Sequence, residues 1–152
     1  MSAPTRLIPP AGARNAGAAN ANVLTREETQ ALIGRALGFS KAESVRVTID
    51  SSYQGNVRFA ANQMSTSGGV VNANVVIESA FGAKHAAVTT NDLSDASLRR
   101  TVEQSEVLAR LAPDDPESMP PLGPQQYANV QGWFDGTANL TPDDRARAAL
   151  TA

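Results

Sequence analysis

Hydrophobic and polar positions alternate in two different rhythms along this chain, and the changes of rhythm mark its elements. In LTREETQALIGRALG, Leu32, Ile33, Ala36 and Leu37 recur at helical spacing and predict one apolar helix face. Thr25 and Glu28 stand three residues apart at its start, the spacing of a capping box, and Gly38 suits its end. In VRVTID the period drops to two: Val45, Val47 and Ile49 alternate with Arg46, Thr48 and Asp50, as in a half-buried strand. Gly55-Asn56 reads as a turn, after which Val57 and Phe59 continue the alternation with Phe59 on a buried face.

Ser67-Gly68-Gly69 reads as a second turn. The next stretch, VVNANVVIESAF, puts Val71, Ala73, Val75, Ile77 and Phe81 on one face. Gly82-Ala83-Lys84 then sends HAAVTT back as a partner strand, so residues 70–90 form a hairpin. Helical spacing resumes from Ser94 or Asp95 to Leu111 and predicts burial of Leu98, Val102, Leu108 and Leu111. Five prolines between Pro113 and Pro124 end regular structure. The resulting fold class is α+β: a mostly antiparallel sheet with two helices packed on it and a flexible N-terminal tail.

With 152 residues, 41% hydrophobic and 18% charged, the chain has enough apolar material for a core. The tail, residues 1–22, is rich in Ala, Asn, Gly and Pro and is expected to be disordered. Its Leu7-Ile8 pair is cut off by Pro9-Pro10, too short for the core of a signal peptide, and no later run reaches membrane-spanning length. A cytoplasmic protein without a membrane partner is expected. The net charge is −2, and the one adjacent basic pair, Arg99-Arg100, lies beside Glu103 and Glu106. Nucleic acid calls for a basic stripe, so no nucleic-acid partner is expected.

Candidate chemistry is sparse. Without cysteine there is no disulfide and no thiolate chemistry. The single histidine, His85, lacks the further ligands a zinc site needs, and a hairpin histidine at the surface is expected. Asp114, Asp115 and Glu117, set among Pro113 and Pro116, lack calcium-loop spacing and read as a solvated helix exit. Trp133-Phe134 can anchor a partner or fold back as a core plug, and the plug is the expected state. Arg58, Asn62 and Gln63, within RFAANQ, admit two readings. Either Asn62 and Gln63 close a turn with their side chains while Arg58 faces solvent, or the three belong to a surface facing a partner or peptide.

The succession RFAANQMSTSGG, VVIESAFGAKHAAVTTNDLSDASLRRTVEQSEVLARLAPDDPE and PPLGPQQY resembles the N-terminal domain of the TldD/PmbA family, over about residues 23–130. Members were first called modulators of DNA gyrase and are regarded as metalloprotease subunits. The resemblance implies proteolysis of peptide or protein substrates and a partner subunit in a homo- or heterodimer. It also implies zinc or another divalent metal held by a helical His-Glu…His motif in a downstream domain. Nothing in this chain matches that motif, so the expected catalytic and metal residues here are none and the chain is expected to be inactive alone. A free-standing interaction module without catalysis is the alternative. The expected domains are residues 23–139 and, from 140 to 152, the start of a helix of the next domain. Thr141 caps that helix, Pro142 fits its first position, and Asp143 and Asp144 suit its positive end.

Overall fold

A computed structural model of the chain describes residues 23–151. The expected disordered tail, residues 1–22, lies outside them. The elements in order are α1 (Arg26–Phe39), β1 (Ser44–Ala60), β2 (Gln63–Phe81), β3 (Lys84–Thr90), α2 (Asp95–Leu111), α3 (Asp135–Ala138) and α4 (Pro142–Thr151). The three strands form one antiparallel sheet in the order β1-β2-β3. The described residues fall into two compact units, one of residues 24–50 and 73–127, the other of residues 23, 51–72 and 128–151.

In the first unit the predicted α1 capping box is present: the Thr25 amide donates to Glu28 Oε2 (2.8 Å), and the Glu28 amide donates to Thr25 Oγ1 (3.2 Å). The helix runs one residue past Gly38 and ends at Phe39, with Ser40 as its C-cap. Leu32 and Ala36 of α1, Val75 and Ile77 of β2, and Leu98 and Val102 of α2 are the buried centre, with Val45, Val47 and Ile49 of β1 packed against them. The β2–β3 hairpin has the register Val75↔Thr90 to Phe81↔Lys84. Gly82, at φ +59, supplies the positive φ that a two-residue hairpin turn demands.

Helix α2 packs on β3 through a stripe different from the one its leucines suggest. Ser97, Leu98, Thr101, Val102, Ser105, Glu106 and Ala109 are buried, whereas Leu108 and Leu111 are 49% and 77% exposed. The small hydroxyl residues let the helix approach the sheet closely, and each finds a partner for its oxygen. Ser79 and Ser105 bond to each other at 2.7 Å, Ser97 bonds Thr90 at 3.1 Å, and Thr101 donates to the Ser97 carbonyl at 2.8 Å. Because these bonds meet the hydrogen-bonding need of the hydroxyls, their burial carries little penalty.

In the second unit, residues 51–60 of β1 and 63–72 of β2 form a two-stranded ribbon that turns at Ala61 and Asn62, at φ 51 and 56. Two successive positive φ values are the requirement of a type I′ turn. The turns expected at Gly55-Asn56 and Ser67-Gly68-Gly69 are extended strand instead. Two of these glycines serve close approach. A Cβ on Gly69 would come within 2.7 Å of the Tyr53 hydroxyl, and one on Gly55 within 2.7 Å of the Arg145 guanidinium carbon.

Phe59, expected on a buried face, is 47% exposed. The strand alternates as predicted, but nothing deep covers this part of it. Phe59→Ala is therefore expected to change unfolding stability by about 1 kcal/mol or less, the range of exposed sites, in a urea titration.

Helix α4 starts as its sequence predicts. The Asp144 amide donates to Thr141 Oγ1 at 3.1 Å, while the Thr141 hydroxyl and amide donate to Asp144 Oδ2 at 2.6 and 2.9 Å. These bonds, with the Arg147 guanidinium on the other carboxylate oxygen, lower the Asp144 pKa from 3.8 to about 2. A folded pKa below the ordinary one means that the capping contribution is complete above about 4. It is lost as pH falls through about 2. Amide signals of Asp144 and Arg145, followed by NMR during acid titration, are expected to move in that window. Asp144→Asn should abolish the movement.

Candidate functional site

The three residues singled out in RFAANQ meet at the tip of the ribbon. Arg58 lies near the end of β1, Asn62 is the second turn residue, and Gln63 begins β2; all three are exposed. The turn is formed by Ala61 and Asn62, both at positive φ. Among the described residues, neither the Asn62 nor the Gln63 side chain is engaged in a hydrogen bond, and none forms an ion pair with Arg58. What ties the tip together is Ser65, whose hydroxyl donates to the Arg58 carbonyl at 3.1 Å. The tip thus presents a guanidinium and two amides, donors and acceptors suited to peptide groups or carboxylates.

The other candidates take structural positions. His85 Nδ1 stands 4.0 Å from Asp115 Oδ2, both side chains partly exposed. The Asp115 amide donates to the Ala83 carbonyl at 3.0 Å, tying the helix exit to the β2–β3 turn, and Asp115 Oδ1 accepts the Glu117 amide at 2.9 Å. Among the described residues no three His, Cys, Asp or Glu side chains converge. Trp133 and Phe134 are 55% and 61% exposed, with the indole N–H donating to Asp135 Oδ1 at 2.9 Å. They do not plug a core; the segment leads into α3, whose first residue, Asp135, accepts the indole N–H.

Two shallow depressions lie in the first unit. Arg46, Thr48, Val76 and Glu78 line one of about 240 Å³, bridged by the Arg46–Glu78 ion pair at 2.5 Å. Val88, Arg100, Glu103, Gln104, Val107 and Leu108 line the other, of about 400 Å³. Sequence reasoning missed the role of Glu106, 6% exposed, which accepts the Lys41 amide at 2.5 Å and the Ser40 hydroxyl at 3.0 Å. A glutamate in the middle of an amphipathic helix looks solvated, and only the neighbouring C-terminus of α1 explains it. Arg99 likewise stacks on Phe39, 4.3 Å from the ring centre.

The structure is similar to that of TldE from Thermococcus kodakarensis, with a TM-score of 0.64 and 15% sequence identity over 76% of this chain. The fold is TldE-like. The chain spans 26% of the length of that TldE. No family model matches the sequence, and no curated protein matches it. At this identity the likeness to TldE concerns the fold. Among the described residues, no helix is long and apolar enough to cross a membrane.

Proposed function

We propose that this chain is the N-terminal, non-catalytic domain of a TldD/PmbA-type metallopeptidase subunit, acting in the cytoplasm on peptide or protein substrates. Residues 23–139 are then that domain, and residues 140–152 lead into the next. The observation that carries the reading is the TldE-like fold. The ordered motifs from RFAANQ to PPLGPQQY, which resemble this family, support it from the sequence side.

In this reading the chain's own residues bind and orient. Arg58, Asn62 and Gln63 offer the ribbon tip to a peptide strand or to the partner subunit. The zinc or other divalent metal, with the base that serves it, belongs to a catalytic domain outside this sequence. A peptide-hydrolysis assay tests the proposal, using this chain alone and mixed with a metal-bearing TldD-type subunit. No turnover alone and faster turnover in the mixture are expected. Hydrolysis by the chain alone, or indifference of the catalytic subunit to it, contradicts the proposal.

One contact favours a second reading, a free-standing interaction module without catalysis. Arg145 of α4 lies against Gly55 of the ribbon, so α4 is seated within its own unit. Hydrogen exchange separates the readings. Slow exchange from Arg145 to Leu150 in this chain alone favours the module, and protection gained only with downstream sequence favours the peptidase domain.

A further inference from the structure

Between Glu117 and Asp135 the chain carries no charged residue. Residues 118–134 form neither helix nor strand, and every one of them is exposed. Among the described residues, no backbone–backbone hydrogen bond involves residues 119–133. Pro120, Pro121 and Pro124 account for part of this, because each lacks the N–H that a helix or a ladder would use. A connection kept only for reach is polar or charged. This one exposes Met119, Leu122, Tyr127, Val130, Trp133 and Phe134. Large apolar side chains on an unpaired backbone suit the cleft of an endopeptidase. There the backbone pairs as an added strand, and one side chain fills the specificity pocket.

We propose that the Tyr127–Ala128 bond is a processing site, cut in the folded chain by an endopeptidase whose pocket takes an aromatic side chain. Tyr127 is the most exposed of the six, at 88%. From Pro124 to Gln131, four residues on either side of the bond, the backbone is free to enter a cleft. From Gln125 to Phe134 no proline removes an N–H that the cleft could pair. The competing bonds are encumbered. Proline follows Met119 directly, and Leu122 lies among Pro120, Pro121 and Pro124. Trp133 gives its indole N–H to Asp135, and the Phe134 carbonyl accepts the Thr137 and Ala138 amides, each at 3.0 Å. Tyr53, Phe59 and Phe81 lie in strands, and Phe39 ends α1. Hydrolysis adds one water across the bond, leaving a carboxylate on Tyr127 and an amine on Ala128. The cut detaches α4 covalently from the strands and from α1 and α2.

Chymotrypsin, added at a low ratio to the native chain and followed by intact-mass spectrometry, tests the site. The first cut within residues 23–151 should follow Tyr127 and release residues 128–152. Its rate should lie within about tenfold of that for the same bond in a peptide of residues 118–134, since no unfolding precedes it. Bonds inside the strands and helices wait for opening and should be at least about a hundredfold slower. Ala128→Pro keeps the aromatic ring but makes the scissile nitrogen a proline nitrogen, and should slow this cut at least about tenfold. Tyr127→Phe keeps an aromatic side chain and should be cut like the wild type. Circular dichroism should show both variants folded, since both positions are exposed. No metal-bearing subunit takes part, so the site stands or falls apart from the peptidase reading. A first cut at another bond in residues 23–151, a rate at Tyr127 as slow as that of the strand bonds, or undiminished cutting of Ala128→Pro overturns the proposal. So does binding of chymotrypsin to this segment without hydrolysis, which would make it a docking segment only.

Discussion

Leu98→Ala is expected to destabilise the first unit by about 3–5 kcal/mol, the range for a large-to-small change in a packed core. Leu98 is 0% exposed and shares its cluster with Leu32, Ala36, Val75, Ile77 and Val102, which come from both helices and the central strand. Close packing on every side limits collapse into the space left, so the cavity cost adds to the lost transfer energy. Whole-domain stability is usually about 5–15 kcal/mol, so the loss should appear as a large shift of the urea midpoint. Leu111→Ala, at a position 77% exposed on the same helix, should leave the midpoint nearly unchanged.

Glu106→Ala is expected to cost about 3 kcal/mol, although it removes a charge from a buried position. The Glu106 carboxylate accepts the Lys41 amide and the Ser40 hydroxyl where the backbone leaves α1. Hydrogen bonds to a charged group contribute about 1.5–3 kcal/mol each, and truncation leaves the buried donors without an acceptor. Arg110 Nη2, 3.7 Å from Glu106 Oε2, loses its neighbour as well. Glu106→Gln keeps a carbonyl oxygen at the same reach and should cost about half as much or less. Urea titrations of the three proteins give the comparison. Equal losses in the two variants would assign the effect to charge rather than to capping.

The elements readable from the sequence are those whose signals are local. The Thr25–Glu28 capping box, the alternation of Val45, Val47 and Ile49, the hairpin around Gly82 and the Thr141 cap all appear where their residues place them. Each depends on neighbours within a few positions, so chain order carries the information. The α2 stripe was less legible because Ser97, Thr101 and Ser105 look polar until partners from other elements satisfy them. The ribbon turn was hidden for a related reason. Alanine is a poor residue for positive φ, yet Ala61 adopts φ 51, while the glycines at 55 and 69 are extended and admit side chains from elsewhere.

The ribbon tip was legible as a polar group and no further. Arg58, Asn62 and Gln63 are brought together by adjacency in the chain, and the structure adds that the Asn62 and Gln63 side chains are not used to close their own turn. Their role depends on the surface they meet. Hydrogen exchange of this chain with a metal-bearing TldD-type subunit and a peptide substrate probes that surface. Amides from Arg58 to Gln63 should exchange more slowly in the mixture than in the chain alone. A complex that forms while exchange at those amides stays unchanged, or the absence of any complex, would contradict a partner- and peptide-facing role for this TldE-like domain.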